Sequence, residues 1–159
     1  MNISVDIRVD DVNWNEKCSF IEKRVYDLWK EICKEHEFHQ NFEISILLTS
    51  DDEVKLLNKK YRNKDKKTNI LSFPQWDGEK VPYPIPLGDL ALSFEYIKNE
   101  ATLEKKELND HLTHLLLHGI LHLIGYDHIE EECANKMEQF EIKVLKYLSI
   151  SNPYNEVSE

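Results

Sequence analysis

Only four glycines and five prolines occur in this 159-residue chain, too few for long flexible segments. The three cysteines, Cys18, Cys33 and Cys133, are odd in number and form no Cys-x-x-Cys pair. They read as reduced thiols in a reducing compartment, packed as small, partly buried apolar residues. No apolar run approaches the ~18 residues of a membrane span. The first eleven residues alternate apolar and polar side chains and carry three aspartates, unlike a secretory signal or a transit peptide. The expectation is a soluble, cytoplasmic protein of one domain, because single domains cluster at roughly 100 to 150 residues.

Positive charge is scarce as well. Twenty lysines and arginines face 30 acids, and the net charge of −10 argues superficially against a nucleic-acid partner. The distribution reverses that argument. Residues 55–67 hold seven basic side chains (Lys55, Lys59, Lys60, Arg62, Lys64, Lys66 and Lys67) and one acid, Asp65, a local +6. The remaining 13 basic and 29 acidic residues leave −16 elsewhere. Such a patch contacts phosphates while the acidic remainder limits non-specific adhesion. By itself it would read as a solvated, lysine-rich helix end and loop.

The hydrophobic pattern predicts four strands and five helices. Ile3, Val5, Ile7 and Val9 alternate as a half-buried strand. Phe20, Ile21, Val25, Leu28, Trp29 and Ile32 recur at helical spacing across about residues 15–37. A strand over 42–49 precedes a capping box, Ser50 with Glu53, that opens a helix to about residue 60. The basic loop 61–67 leads into a brief strand at 69–73. Pro74, Pro82, Pro84 and Pro86 mark a loop that no central strand enters, either a lid or a plain surface connection. Further segments are a strand at 88–93 and helices at about 94–101, 109–124 and 130–148, then a polar, frayed tail over 151–159. With no internal repeat and no linker, residues 1–150 form a single α+β domain, helices packed on a small mixed sheet of four strands.

What the chain has in concentration is histidine. His118, Gly119, Ile120, Leu121, His122, Leu123, Ile124, Gly125, Tyr126, Asp127 and His128 place three imidazoles at relative positions 0, 4 and 10, with a glycine at 7. On a helix His118 and His122 lie about 40° apart and one turn displaced, so both rings reach one ion. Gly125 suits the left-handed residue that ends a helix and returns the chain, bringing His128 to the same point. Three neutral imidazoles leave a fourth zinc position open, as catalytic sites require. A single histidine on an apolar helix would more simply be a hydrogen-bonded core residue. Here His111, His114, His118 and His122 share about 80° of arc among buried leucines, and burying several polar rings without a common partner is costly. Metzincin proteases have the same 0, 4, 7, 10 spacing, with a glutamate base after the first histidine. This chain has Gly119 there, so the usual route of peptide hydrolysis lacks its proton acceptor.

The chain resembles the YbeY-type endoribonucleases of ribosomal RNA maturation. The resemblance spans nearly the whole length and rests on three blocks. The first runs from Leu57-Asn58 through Tyr61-Arg62 and Lys64-Asp65 to Thr68-Asn-Ile-Leu-Ser-Phe-Pro74. The second is Leu87-Gly-Asp-Leu90, and the third is 118–128 with His114 one turn earlier. Ile70 and Leu90 are mild apolar-for-apolar departures. The resemblance implies one zinc ion on His118, His122 and His128, with Arg62 serving the RNA-cleaving site. It also implies a single-strand-specific endoribonuclease that processes the 3′ end of 16S ribosomal RNA, works with the small ribosomal subunit and takes part in ribosome quality control. No membrane or DNA partner is implied.

Around that core the expectations are these. Lys59, Lys60, Arg62, Lys64, Lys66 and Lys67 bind RNA, and Arg62 meets the charge that builds on the phosphoryl oxygens. His114 either orients a ligand, passes a proton to the leaving oxygen, or makes a core hydrogen bond. Asp127 is either a carboxylate behind a metal ligand or a turn residue, and Asp89 is open to the same two services. The rival readings are a ribosome-associated RNA-binding factor whose metal is structural, and a zinc protease or amidase with a different base. Three imidazoles also accept nickel, copper or cobalt.

Overall fold

The computed structural model describes residues 2–79 and 84–155. Strand β1 (Ile3–Val9) buries Ile3 and leaves Ser4, Asp6 and Arg8 in solvent, the expected alternation. A short 3-10 turn, Val12–Trp14, then interrupts the chain before α1 (Cys18–His36). The Trp14 indole N–H donates to the Thr49 carbonyl at 2.9 Å, tying this turn to the end of β2 (Phe42–Thr49). Helix α1 buries Ile21, Val25, Leu28, Trp29 and Ile32, one stripe at helical spacing.

Helix α2 (Asp51–Arg62) starts differently from its sequence motif. Ser50 holds the N-cap backbone conformation, but its side chain makes no capping hydrogen bond. The Asp51 amide donates instead to Glu95 at 3.3 Å, and the Ser93 hydroxyl donates to the Asp51 carboxylate at 2.5 Å. The end of β4 and the first turn of α3 thus anchor the first residue of this helix.

Strands β3 (Ile70–Pro74) and β4 (Ile85–Ser93) complete a sheet of order β1-β2-β4-β3. β1, β2 and β4 run parallel, and β3 is an antiparallel edge on β4. β4 begins three residues earlier than expected, so Pro86 does enter a central strand. The register slips between Glu43 and Ile44, setting Pro86 opposite Glu43 and Gly88 opposite Ile44. A proline is tolerated at such a bulge, where the ladder is already broken. Gly88, at φ +138°, lies against the Phe73 carbonyl, where any Cβ would collide. The described part of the proline loop packs Trp76 on Phe38 and Phe42, at 5.2 Å from each ring. The lid reading falls partly on residues 80–83, including Pro82, which lie outside the described residues.

Helices α3 (Phe94–Leu103), α4 (Leu108–Leu123) and α5 (Glu131–Tyr147) finish the domain. α4 is the axis of the core: Leu112, Leu116, Leu117, Ile120 and Leu121 are fully buried between the sheet, α1 and α5. α2 lies on the opposite sheet face, where Val54 packs with Leu71 and Ala91. Among the described residues the architecture is a single α+β domain with a four-stranded mixed sheet and five α-helices.

Candidate metal centre

His118 and His122 occupy successive turns at the end of α4, and the helix stops as its glycine predicts. Gly125 takes φ +107°, the Tyr126 amide donates to the Leu121 carbonyl at 3.0 Å, and the Gly125 amide to that of His122 at 3.2 Å. These two bonds are the Schellman closure of a helix C-terminus. The chain then turns back, and His128 arrives 4.9 Å from His122 and 5.5 Å from His118, ring centre to ring centre. Each of the three rings offers a nitrogen within 4.8 Å of the others.

The hydrogen bonds fix how the two helical rings present themselves. His122 donates Nδ1–H to the Tyr126 carbonyl at 2.9 Å, and His118 donates Nδ1–H to Glu141 at 3.1 Å. Their Nε2 atoms therefore carry lone pairs, and these face each other at 3.0 Å. Two ring nitrogens this close share a cation, either a proton or a metal ion. Zinc ligands at 2.0–2.1 Å in tetrahedral array stand roughly 3.3 Å apart, so this donor set fits zinc. Burial, with His118 and His128 alongside, pushes His122 down to about 4, keeping the ring neutral and able to ligate near pH 7.

Glu141 is the residue that motif reading missed. Fully buried, it accepts His118 Nδ1–H at 3.1 Å, His114 Nε2–H at 3.0 Å and the Tyr154 hydroxyl at 2.6 Å. Burial alone would raise its pKa, but these donors overcome it and hold the carboxyl down to about 2. A signal existed: Glu141 interrupts the apolar stripe Met137, Phe140, Val144 and Leu145 of α5. The sequence predicts a frayed tail over 151–159; within the described residues 151–155, Tyr154 instead closes over Glu141.

A cleft of about 430 Å³ opens beside the histidines, and Arg62, Lys64 and Lys66 line it together with His118, His122 and His128. Arg62 donates to the Ser72 carbonyl and lies 5.6 Å from the Phe73 ring centre, so the edge strand holds its guanidinium in place. The other candidates sit elsewhere. Lys59 stands 4.0 Å from Asp65, Lys67 3.5 Å from Asp51, and Lys60 lies over the Tyr61 ring; none of the three lines the cleft. His114 does not line it either, being engaged by Glu141. Asp127 accepts the Ile129 amide at 3.2 Å, the bond of a turn residue. Asp89 pairs across the sheet with Ser45 and Phe73 and lines a groove on the face away from α4.

Gly119 has a packing reason. A Cβ there would come 2.7 Å from Ile70 Cδ1 and 2.9 Å from Leu90 Cδ2, because α4 presses on the sheet at this point. The position of the metzincin glutamate is filled by β3 and β4. Among the described residues no helix is long and apolar enough to cross a membrane.

The family model described as Endoribonuclease YbeY matches residues 8–149. The chain is 40% identical over 162 residues to the Endoribonuclease YbeY of Bartonella henselae, covering 98% of this chain and 99% of that protein. It is 48% identical over 121 residues to the protein of the same name from Colwellia psychrerythraea, covering 74% and 76%. Among solved structures, the solution structure of TM1509 from Thermotoga maritima shares the fold, with a TM-score of 0.57 at 23% identity, covering 96% of this chain and 99% of that one. By the extent of these matches, and with a three-histidine cleft built on the shared fold, the chain belongs to the YbeY endoribonuclease family.

Proposed function

We propose that this protein is a zinc-dependent endoribonuclease specific for single strands, acting on the 3′ end of 16S ribosomal RNA and in ribosome quality control. One observation carries the catalytic part: three convergent imidazoles and the guanidinium of Arg62 open onto the same cleft. The names of the full-length relatives support RNA as substrate. The small ribosomal subunit as partner and the cytoplasm as location rest on the family resemblance.

His118, His122 and His128 would hold the ion, which when bound supplies Lewis acidity toward the phosphoryl group and activates water near neutral pH. The remaining work belongs to the chain's own side chains. Arg62, steadied by the Ser72 carbonyl, turns its other N–H groups toward a non-bridging oxygen and meets the charge that develops there. Lys64 and Lys66 hold flanking phosphates as point charges. Glu141 keeps the His118 ring in its ligating tautomer, and His114 and Tyr154 keep Glu141 in place.

Metal analysis of the purified protein, combined with cleavage of single-stranded RNA by wild type and His122→Ala, tests this reading. The wild type is expected to carry about one zinc per chain and to cut, and the variant to do neither. Undiminished cutting by metal-free His122→Ala would overturn it. A parallel panel of peptides should remain uncut.

A further inference from the structure

Asp89 belongs to one of the three blocks on which the family resemblance rests, yet it faces away from the metal cleft. Strand register explains where it goes. Asp6 stands beside Ser45, Ser45 beside Asp89, and Asp89 beside Phe73, a row across four strands on the sheet face that α2 only partly covers. Tyr61, from the last turn of α2, meets Phe73 edge-on at 5.4 Å and remains 60% exposed. Together with Arg8 they bound a groove of about 520 Å³ that has an aromatic end and a largely apolar lining, into which Asp6, Ser45 and Asp89 bring hydrogen-bond acceptors. The divide between groove and cleft is one side chain thick, because Arg62 lines the cleft while lying 5.6 Å from Phe73, which lines the groove.

We propose that this groove is a nucleobase subsite for the RNA whose phosphates lie at Arg62. It rests on the reading of the cleft as an RNA site. A strand leaving Arg62 crosses the end of α2 with Lys60 beside it and lays a base on Tyr61, since every base has a face that stacks on an aromatic ring. The base edge then meets Asp89, Ser45 and Asp6. Two carboxylates outnumber the one cation, Arg8, in this lining and favour an edge rich in N–H donors: guanine presents an imino and an amino N–H side by side, whereas uracil presents one imino N–H and two carbonyls. In a duplex these edges are paired and cannot enter. The subsite thus gives a physical origin to single-strand preference, at a place separate from the metal.

The test needs no turnover. Amide shifts of the ¹⁵N-labelled protein are followed on titration with 5′-GMP and, separately, 5′-UMP. Binding of a labelled single-stranded hexamer containing guanine is measured for wild type, Tyr61→Phe, Tyr61→Leu and Asp89→Asn. GMP is expected to move the amides of Ser45, Phe73 and Asp89 more than UMP does. Tyr61→Leu and Asp89→Asn should weaken the hexamer about tenfold, and Tyr61→Phe should keep wild-type affinity because it keeps the ring. RNA cleavage by wild type, with His122→Ala as control, separates the two readings. Normal cleavage with unmoved groove amides and equal hexamer affinity in all four proteins overturns the subsite and spares the nuclease. A response to UMP equal to that to GMP overturns the carboxylate readout. A wild type that neither binds nor cuts RNA removes both.

Discussion

Tyr154, seven residues past the end of α5, donates its hydroxyl to the buried carboxylate of Glu141 at 2.6 Å. The same carboxylate holds His118 Nδ1–H. The described end of the chain is thereby joined to the three-histidine cleft through a single side chain. Burial and the Glu141 carboxylate both raise the Tyr154 pKa, so its phenol stays protonated and a donor.

Replacing Glu141 should show that link. Glu141→Gln leaves the volume but removes the charge behind His118, and zinc affinity should fall about 10- to 100-fold. Tyr154→Phe, which removes one of three donors, should cost less. Competition with a chromophoric chelator reads both, and an unchanged affinity in Glu141→Gln would refute the orienting role.

Arg62 and the lysines should separate kinetically. Arg62→Ala is expected to lower kcat about 100-fold with little change in RNA affinity. Lys66→Ala should weaken binding and reduce the slope of log K against log salt by about 0.7. Lys59→Ala, outside the cleft, should do less than Lys66→Ala. Single-turnover rates and binding isotherms at several salt concentrations check the ordering.

A glutamate cannot be restored at position 119. Gly119→Glu would force a carboxylate against Ile70 and Leu90, and stability should drop by about 3 kcal/mol or more. Denaturant unfolding measures the loss. A variant of normal stability that hydrolyses peptides would contradict this account of the glycine.

Metal removal should leave the fold standing. No imidazole of the site belongs to the hydrophobic core, which Leu116, Leu117, Ile120 and Leu121 build with the sheet and α1. After chelation the far-ultraviolet circular dichroism should persist and unfolding remain cooperative, at a lower Tm because bound metal adds only its linkage free energy. Collapse of the spectrum on chelation would instead favour a structural metal.

Acid should unmask Glu100. Burial opposes its ionisation, but hydrogen bonds from His111 and Asn69 outweigh that and hold its carboxyl below the ordinary 4.5. A depressed carboxyl contributes stability that is present above pH 4.5 and fades as pH falls through its folded value. The stability difference between wild type and Glu100→Gln should therefore be constant near neutrality and shrink below pH 4.5. A difference that grows on acidification would reverse the sign.

The convergence of His118, His122 and His128 was legible in the sequence because it is local. Helical period sets the first two rings, and one left-handed glycine returns the third. The strands and helices were legible for the same reason, since burial on one face imposes a period on neighbouring residues. Ser50 looked like a side-chain cap because its motif is local too; it makes no such bond, and the Asp51 amide finds Glu95, 44 positions further along.

What the sequence by itself determined is therefore the convergence of three histidines, the α+β class and a basic segment close to them. Tertiary structure alone decided the rest. Glu141 and Tyr154 reach His118 and His114 only because α5 and the segment after it fold back over α4. Lys64 and Lys66 face the cleft while Lys59 and Lys67 do not, and the packing of α2 on β3 makes that choice. Asp89 points away from the histidine cleft because side chains in a strand alternate between faces, and only the pairing with β2 and β3 says which face is which. Periodicity is a property of near neighbours along the chain, whereas orientation toward a distant partner is set by contacts that no spacing encodes.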